Sequence, residues 1–104
     1  MKRVIGGKSY DTATATHICQ TIDYGYPGDF ESCDESLYRT KKGTYFIAGE
    51  GGPMSKYATS CGGGDVSSGE GMEIISKEQA RQLAEEAGLD AEDMVAAGFD
   101  VEEG

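Results

Sequence analysis

The chain has 104 residues, is 38% hydrophobic with 16 glycines and no tryptophan, and carries 19 acids against 9 bases for a net charge of −10. That length allows one small α+β domain with a modest core and excludes a large enzyme with its own cofactor domain. No apolar run reaches the ~18–20 residues of a membrane helix, and the acidic balance excludes binding of DNA, RNA or an anionic membrane by the chain's own field.

The opening stretch MKRVIGGKSYD lacks the apolar core of a secretory signal. Residues 2–5 predict a short strand, with Gly6-Gly7 as a turn. Residues 10–22 fit a helical stripe (Ala15, Ile18, Cys19, Ile22) as well as a Thr-rich strand. A turn after Asp11 and a strand over 16–23 is the preferred reading. Gly, Pro and Asp make residues 24–32 a loop. The clearest hairpin follows: residues 36–40 (SLYRT) and 44–48 (TYFIA) flank Lys41-Lys42-Gly43, a three-residue turn in which Gly43 takes positive φ. Residues 49–71, rich in Gly and Ser, predict a long loop, and residues 72–75 a strand. Ser76 and Gln79 form a capping box that opens a helix, Ala80, Leu83, Ala84 and Ala87 give it one apolar face, and Gly88 stops it. Asp90 caps a second helix over 91–97 that ends at Gly98, and residues 99–104 form an acidic tail. The expected fold is α+β, with a small antiparallel sheet of roughly three to five strands and two short C-terminal helices. Tyr38, Phe46, Ile47, Ile74, Ile75 and Leu83 are the expected core.

Catalytic and metal motifs fail on spacing. GEGGPMSK lacks the order of a phosphate loop, and residues 65–73 lack that of a calcium loop. His17 and Cys19 are one residue apart, close for a shared zinc unless both face one side of a strand. Cys19, Cys33 and Cys61 make an odd set that reads as reduced thiols of a cytosolic protein. No catalytic constellation, cofactor or metal is expected.

Charge is the informative pattern. Residues 1–60 hold 7 acids and 7 bases, whereas residues 61–104 hold 12 acids and 2 bases. One acidic cluster comprises Asp23, Asp29, Glu31, Asp34 and Glu35. The other comprises Glu85, Glu86, Asp90, Glu92, Asp93, Asp100, Glu102 and Glu103. Solubility explains much of this, and Asp90, Glu92 and Asp93 suit the first turn of a helix. Glu85 and Glu86 sit in a last turn, where the helix dipole disfavours them, and so invite another reason. Carboxylates on a small rigid domain can imitate duplex phosphates and occupy a basic channel. The expected partner-binding residues are Glu78, Glu85, Glu86, Asp90, Glu92 and Asp93, with Asp29, Glu31, Asp34 and Glu35 in reserve. Reversing Glu85 and Glu86 together to lysine is then expected to weaken occupancy of such a channel without unfolding the domain. The alternative is a small adaptor or regulator that binds another protein through a loop containing Tyr24 and Tyr26 and a sheet face.

The stretches GKSYDT, SLYRTKKGTYFIAGEGGPMSKYA and EIISKEQARQLAEEAG, which span most of residues 3–88, resemble a family of small phage and mobile-element proteins. That family is associated with anti-CRISPR proteins, including an acidic inhibitor of the type I-C system. The resemblance implies an α+β duplex-DNA mimic, and the accompanying expectations are a cytoplasmic location in a bacterial host cell and an open oligomeric state with a monomer favoured. It implies that the mimic binds the Cascade surveillance complex and keeps target DNA out. No catalytic residue carries over from it.

Overall fold

A computed structural model describes residues 1–25, 31–62, 65–67 and 69–102. Two strands, β1 (Lys2–Ile5) and β2 (Lys8–Asp11), form an antiparallel hairpin. Gly6 and Gly7 close it at φ 59° and 79°, the pair of positive values that a two-residue turn of matching twist requires. Only the first of these strands is signalled in the sequence.

The central sheet is antiparallel, in the order β3 (Thr16–Tyr24), β4 (Cys33–Arg39), β5 (Tyr45–Gly51) and β8 (Gly69–Ile75). The fold is therefore α+β, as expected. The β4–β5 hairpin turns at Lys41-Lys42-Gly43: the Thr40 N–H donates to the Thr44 carbonyl at 2.8 Å, and Gly43 has φ 90°. Residues 49–71 are not one long loop. β5 runs on to Gly51, β8 begins at Gly69, and β6 (Thr59–Gly62) pairs with β7 (Asp65–Ser67). Gly-rich sequence hid these strands because glycine carries no side-chain signature of a strand. Within the expected 24–32 loop, Tyr24 ends β3, and Tyr26 and Asp29 lie outside the described residues.

Both helices form where the capping chemistry puts them. In α1 (Lys77–Glu86) the Ser76 hydroxyl accepts from the Gln79 N–H at 3.1 Å and the Gln79 side chain accepts from the Ser76 N–H at 3.0 Å. In α2 (Ala91–Ala96) the Asp90 carboxylate accepts from the Asp93 N–H at 2.8 Å. Each helix closes in a Schellman turn. Gly88 and Leu89 donate to the carbonyls of Glu85 and Ala84, and Gly98 and Phe99 to those of Val95 and Met94.

β5 is buried on both faces, because each face of the sheet has a cover. On one face Cys19, Leu37, Tyr45 and Ile47 pack against Ala80, Ala84, Met94, Ala97 and Phe99 of the helical layer. On the other, Phe46 and Ala48 pack under Tyr10 of the β1–β2 hairpin, flanked by Tyr38, Met72 and Ile74. Of the expected core, Phe46 and Ile47 are buried, and Tyr38, Ile74, Ile75 and Leu83 are half-buried around them. Phe99 corrects the acidic-tail reading: it is buried and stacks on Tyr45 at 5.1 Å, an anchor set in place by the turn at Gly98.

The Tyr45 hydroxyl donates to the Ala97 carbonyl at 2.6 Å, and the Arg39 guanidinium lies over the Tyr45 ring at 5.7 Å. Gly98 threads between them at φ 93°, where a Cβ would come within 2.7 Å of Arg39 Nη1 and 2.8 Å of the Tyr45 hydroxyl. Gly88 has φ 85° but open space around it. Both alanine substitutions meet the left-handed backbone cost of about 1–2 kcal/mol, and only Gly98→Ala meets a collision as well. Urea unfolding is expected to rank Gly98→Ala below Gly88→Ala, and Gly88→Ala below the wild type. Equal midpoints for the two variants would mean that Arg39 moves aside freely.

Candidate partner-binding surface

Strand register assembles a surface that sequence position does not reveal. Asp23 on β3 lies opposite Asp34 on β4, Asp34 opposite Glu50 on β5, and Glu50 opposite Glu70 on β8. All four are exposed. Alternation along each strand puts Asp34 and Glu50 on the face of Phe46 and Ala48, beyond the end that the β1–β2 hairpin covers. The result is a row of carboxylates, one per strand, across the whole sheet. With adjacent strands ~4.8 Å apart, the row spans roughly 14 Å.

Like charges directly opposite each other destabilise a sheet, so the row opposes folding. Among the described residues its compensation is slight. The Gln20 amide donates to Asp34 at 2.8 Å, and Arg3 stands 3.8 Å from the Glu70 carboxylate. Among the described residues no ion pair reaches Asp23, Asp34 or Glu50.

The expected partner-binding residues are divided between the two sides of the molecule. Glu78 and Glu85 are both held by Arg81, which donates to Glu85 at 2.6 Å and takes Glu78 with Nε and Nη2. The Arg81 hydrogen bonds keep the Glu78 carboxyl below its ordinary range, and Glu78 in turn pushes the guanidinium up. Arg81 therefore offsets the unfavourable position of Glu85 in the last turn of α1. Asp90 serves as an N-cap, and Glu92 and Asp93 fill the first turn of α2. Glu86 is exposed and has no ion pair among the described residues. Of the reserve set, Asp34 belongs to the row, Glu31 is exposed at a turn, and Asp29 is outside the described residues.

Glu35 is the clear correction. It is only 3% exposed, and its neighbour Asp34 faces the opposite way. Its carboxylate accepts from the Thr21 hydroxyl at 2.7 Å and from the Tyr57 hydroxyl, and it pairs with Lys56. Burial pushes the carboxyl up, but the hydrogen bonds from Lys56, Tyr57 and Thr21 outweigh it and hold Glu35 below its ordinary range. Burial, and then the bond to Glu35, drive the Tyr57 hydroxyl far up. The network ties residues 52–58 down as a strap. Tyr57 covers Gly49 and Gly71, where a Cβ would come within 2.7 Å and 3.0 Å of its ring. Glycine there is what lets the aromatic ring approach the sheet this closely.

The zinc geometry considered for His17 and Cys19 fails for a local reason. A register shift separates them, so His17 pairs with Tyr38 and Cys19 with Leu37 on opposite faces. His17 meets the Tyr38 ring edge-on at 5.3 Å, and Cys19 is buried. Among the described residues no group of His, Cys, Asp and Glu is arranged to hold a metal. Burial raises the Cys19 thiol, and burial raises Cys33 against the opposing pull of Lys56. Among the described residues no helix is long and apolar enough to cross a membrane. No family model, curated protein or solved structure matches this chain.

Proposed function

We propose that this protein is a non-catalytic inhibitor that acts by occupancy, presenting carboxylates in place of duplex phosphates to a basic DNA-binding surface. The partner proposed is a CRISPR effector in a bacterial host cytoplasm, with type I-C Cascade the first to test. One observation carries the reading: the row Asp23–Asp34–Glu50–Glu70. It holds four like charges in line on a hydrogen-bonded sheet, at a cost to stability and with little local compensation among the described residues. A single DNA strand places a phosphate every ~3.4 Å of helix axis, and a row at ~4.8 Å spacing is of comparable charge density. A sheet fixes that spacing better than exposed helix termini do, so the row takes precedence over the helical carboxylates as the mimic surface.

Purified protein is expected to bind Cascade and compete with target duplex. Raising salt from about 0.1 to 0.5 M should weaken that binding strongly, because the Debye length falls below the spacing of the row. Salt-independent binding would overturn the mimicry. It would favour the adaptor reading, for which Tyr24, 60% exposed, is the contact to substitute.

A further inference from the structure

The carboxylate row ends at an open edge. Among the described residues β8 pairs only with β5, and the hydrogen bond that reaches its outer side comes from the Arg3 guanidinium, which donates to the Glu70 carbonyl at 3.2 Å. Residues along an antiparallel strand turn their N–H and C=O alternately to either side. The Glu70 carbonyl faces Arg3, so Glu70, Met72 and Ile74 share the outward phase. Proteins usually blunt such an edge with bulges, prolines or lysines. The other edge strand, β3, has two register shifts. β8 pairs without a shift over its seven residues, GEGMEII, and contains neither Pro nor Lys.

We propose that β8 is a docking edge for an extended basic segment of the partner protein, added as a fifth strand with a Lys or Arg opposite Glu70. That residue continues the row beyond Glu50 and Glu70 with the opposite sign. Arg3 marks the chemistry the position accepts, since a guanidinium already bridges the carbonyl and approaches the carboxylate of Glu70. Its side chain is 43% exposed, so an incoming strand can displace it. A second copy of this chain is a poor occupant, because each copy has a net charge of −10 and the two rows would meet end to end. The inference rests on the basic-partner reading above, but not on the partner being Cascade.

The test uses the full chain, 15N-labelled, with an acetylated, amidated octapeptide of alternating Lys and Val as the probe. A second peptide has the same charge and its four central amides N-methylated. The first peptide is expected to bind with the largest amide shifts at Glu70, Met72 and Ile74. The N-methylated peptide is expected to bind at least ~10-fold more weakly, since it cannot complete the ladder. Glu70→Gln should weaken the first peptide about fivefold, because one charge-assisted contact is lost. Equal binding of the two peptides would overturn the proposal, because charge alone would then suffice. So would the absence of binding, shifts confined to Asp23 and Asp34, or sedimentation showing a dimer through β8. Peptide binding at β8 without any block of Cascade would retire the CRISPR partner and leave the docking edge standing.

Discussion

The double variant Asp23→Lys/Glu50→Lys is expected to bind its partner at least ~100-fold more weakly than the wild type while folding about 1 kcal/mol more stably. The two effects have opposite signs because of the register. In the wild type every neighbouring pair in the row repels: Asp23 with Asp34, Asp34 with Glu50, and Glu50 with Glu70. Lysine at positions 23 and 50 makes the signs alternate, so three repulsive contacts become attractive ones, each worth roughly 0.2–1 kcal/mol. The same change cancels the row's net charge and sets two cations against a basic partner. Charge pairs at such an interface can each contribute several kcal/mol. Chemical denaturation with a binding assay on the same protein reads both effects. Glu85→Lys/Glu86→Lys is the companion variant. It changes the protein's net charge equally but lies on the helical layer, so binding within ~3-fold of wild type is expected there if the row is the contact surface. Loss of binding in the helical variant alone would move the site to α1. Equal loss in both would mean that net charge matters and arrangement does not.

Much of the fold was legible because its signals are local. The capping box at Ser76 and Gln79, the glycines at 88 and 98, and the turn at Lys41-Lys42-Gly43 each settle a few residues by hydrogen bonds or positive φ that only certain side chains allow. The candidate surface was only partly legible. Closing the hairpin at Thr40 and Thr44 already sets Asp34 opposite Glu50, because an antiparallel register runs on unchanged from its turn. The strand pattern in the sequence is clear only from 36 and only to 48, two residues short of the pair on each strand. Glu70 was beyond such reasoning, because no tight turn links β8 to β5. Glu35 was beyond it for another reason. Its partners Thr21, Lys56 and Tyr57 come from β3 and the strap, and nothing in the run CDESLYR separates the buried carboxylate from the exposed one beside it. Alternation puts Asp34 and Glu35 on opposite faces, but only the covers of those faces decide which of the two is buried.

Glu35→Ala is expected to destabilise the fold by about 3 kcal/mol, because it removes the acceptor for three donors and leaves the Tyr57 and Thr21 hydroxyls without it. At about 4–8 °C per kcal/mol for a domain of this size, the melting temperature should fall by more than ~10 °C. Lys56 softens the loss, since its side chain is 51% exposed and its ammonium can turn to water. Glu35→Gln keeps the shape and removes the charge, so it isolates the ionisation. The Glu35 carboxyl is held below its ordinary value of 4.5, so the ionised form stabilises the folded state. That contribution is complete above about pH 4.5 and is lost as pH falls through the lowered folded value. Acid also relieves the repulsion among the other carboxylates, which acts in the opposite direction. The quantity to measure is therefore the stability difference between wild type and Glu35→Gln, followed from pH 7 downward. It should be largest and constant near neutrality and shrink below about pH 4.5. A difference that stays constant into acid would mean that Glu35 is held by shape, with its charge contributing nothing. Tyr57→Phe supplies the check from the strap side. It should cost about 1–2 kcal/mol through the single lost donor, and its effect should be largely absorbed when Glu35 is already alanine, because the two groups act as one pair.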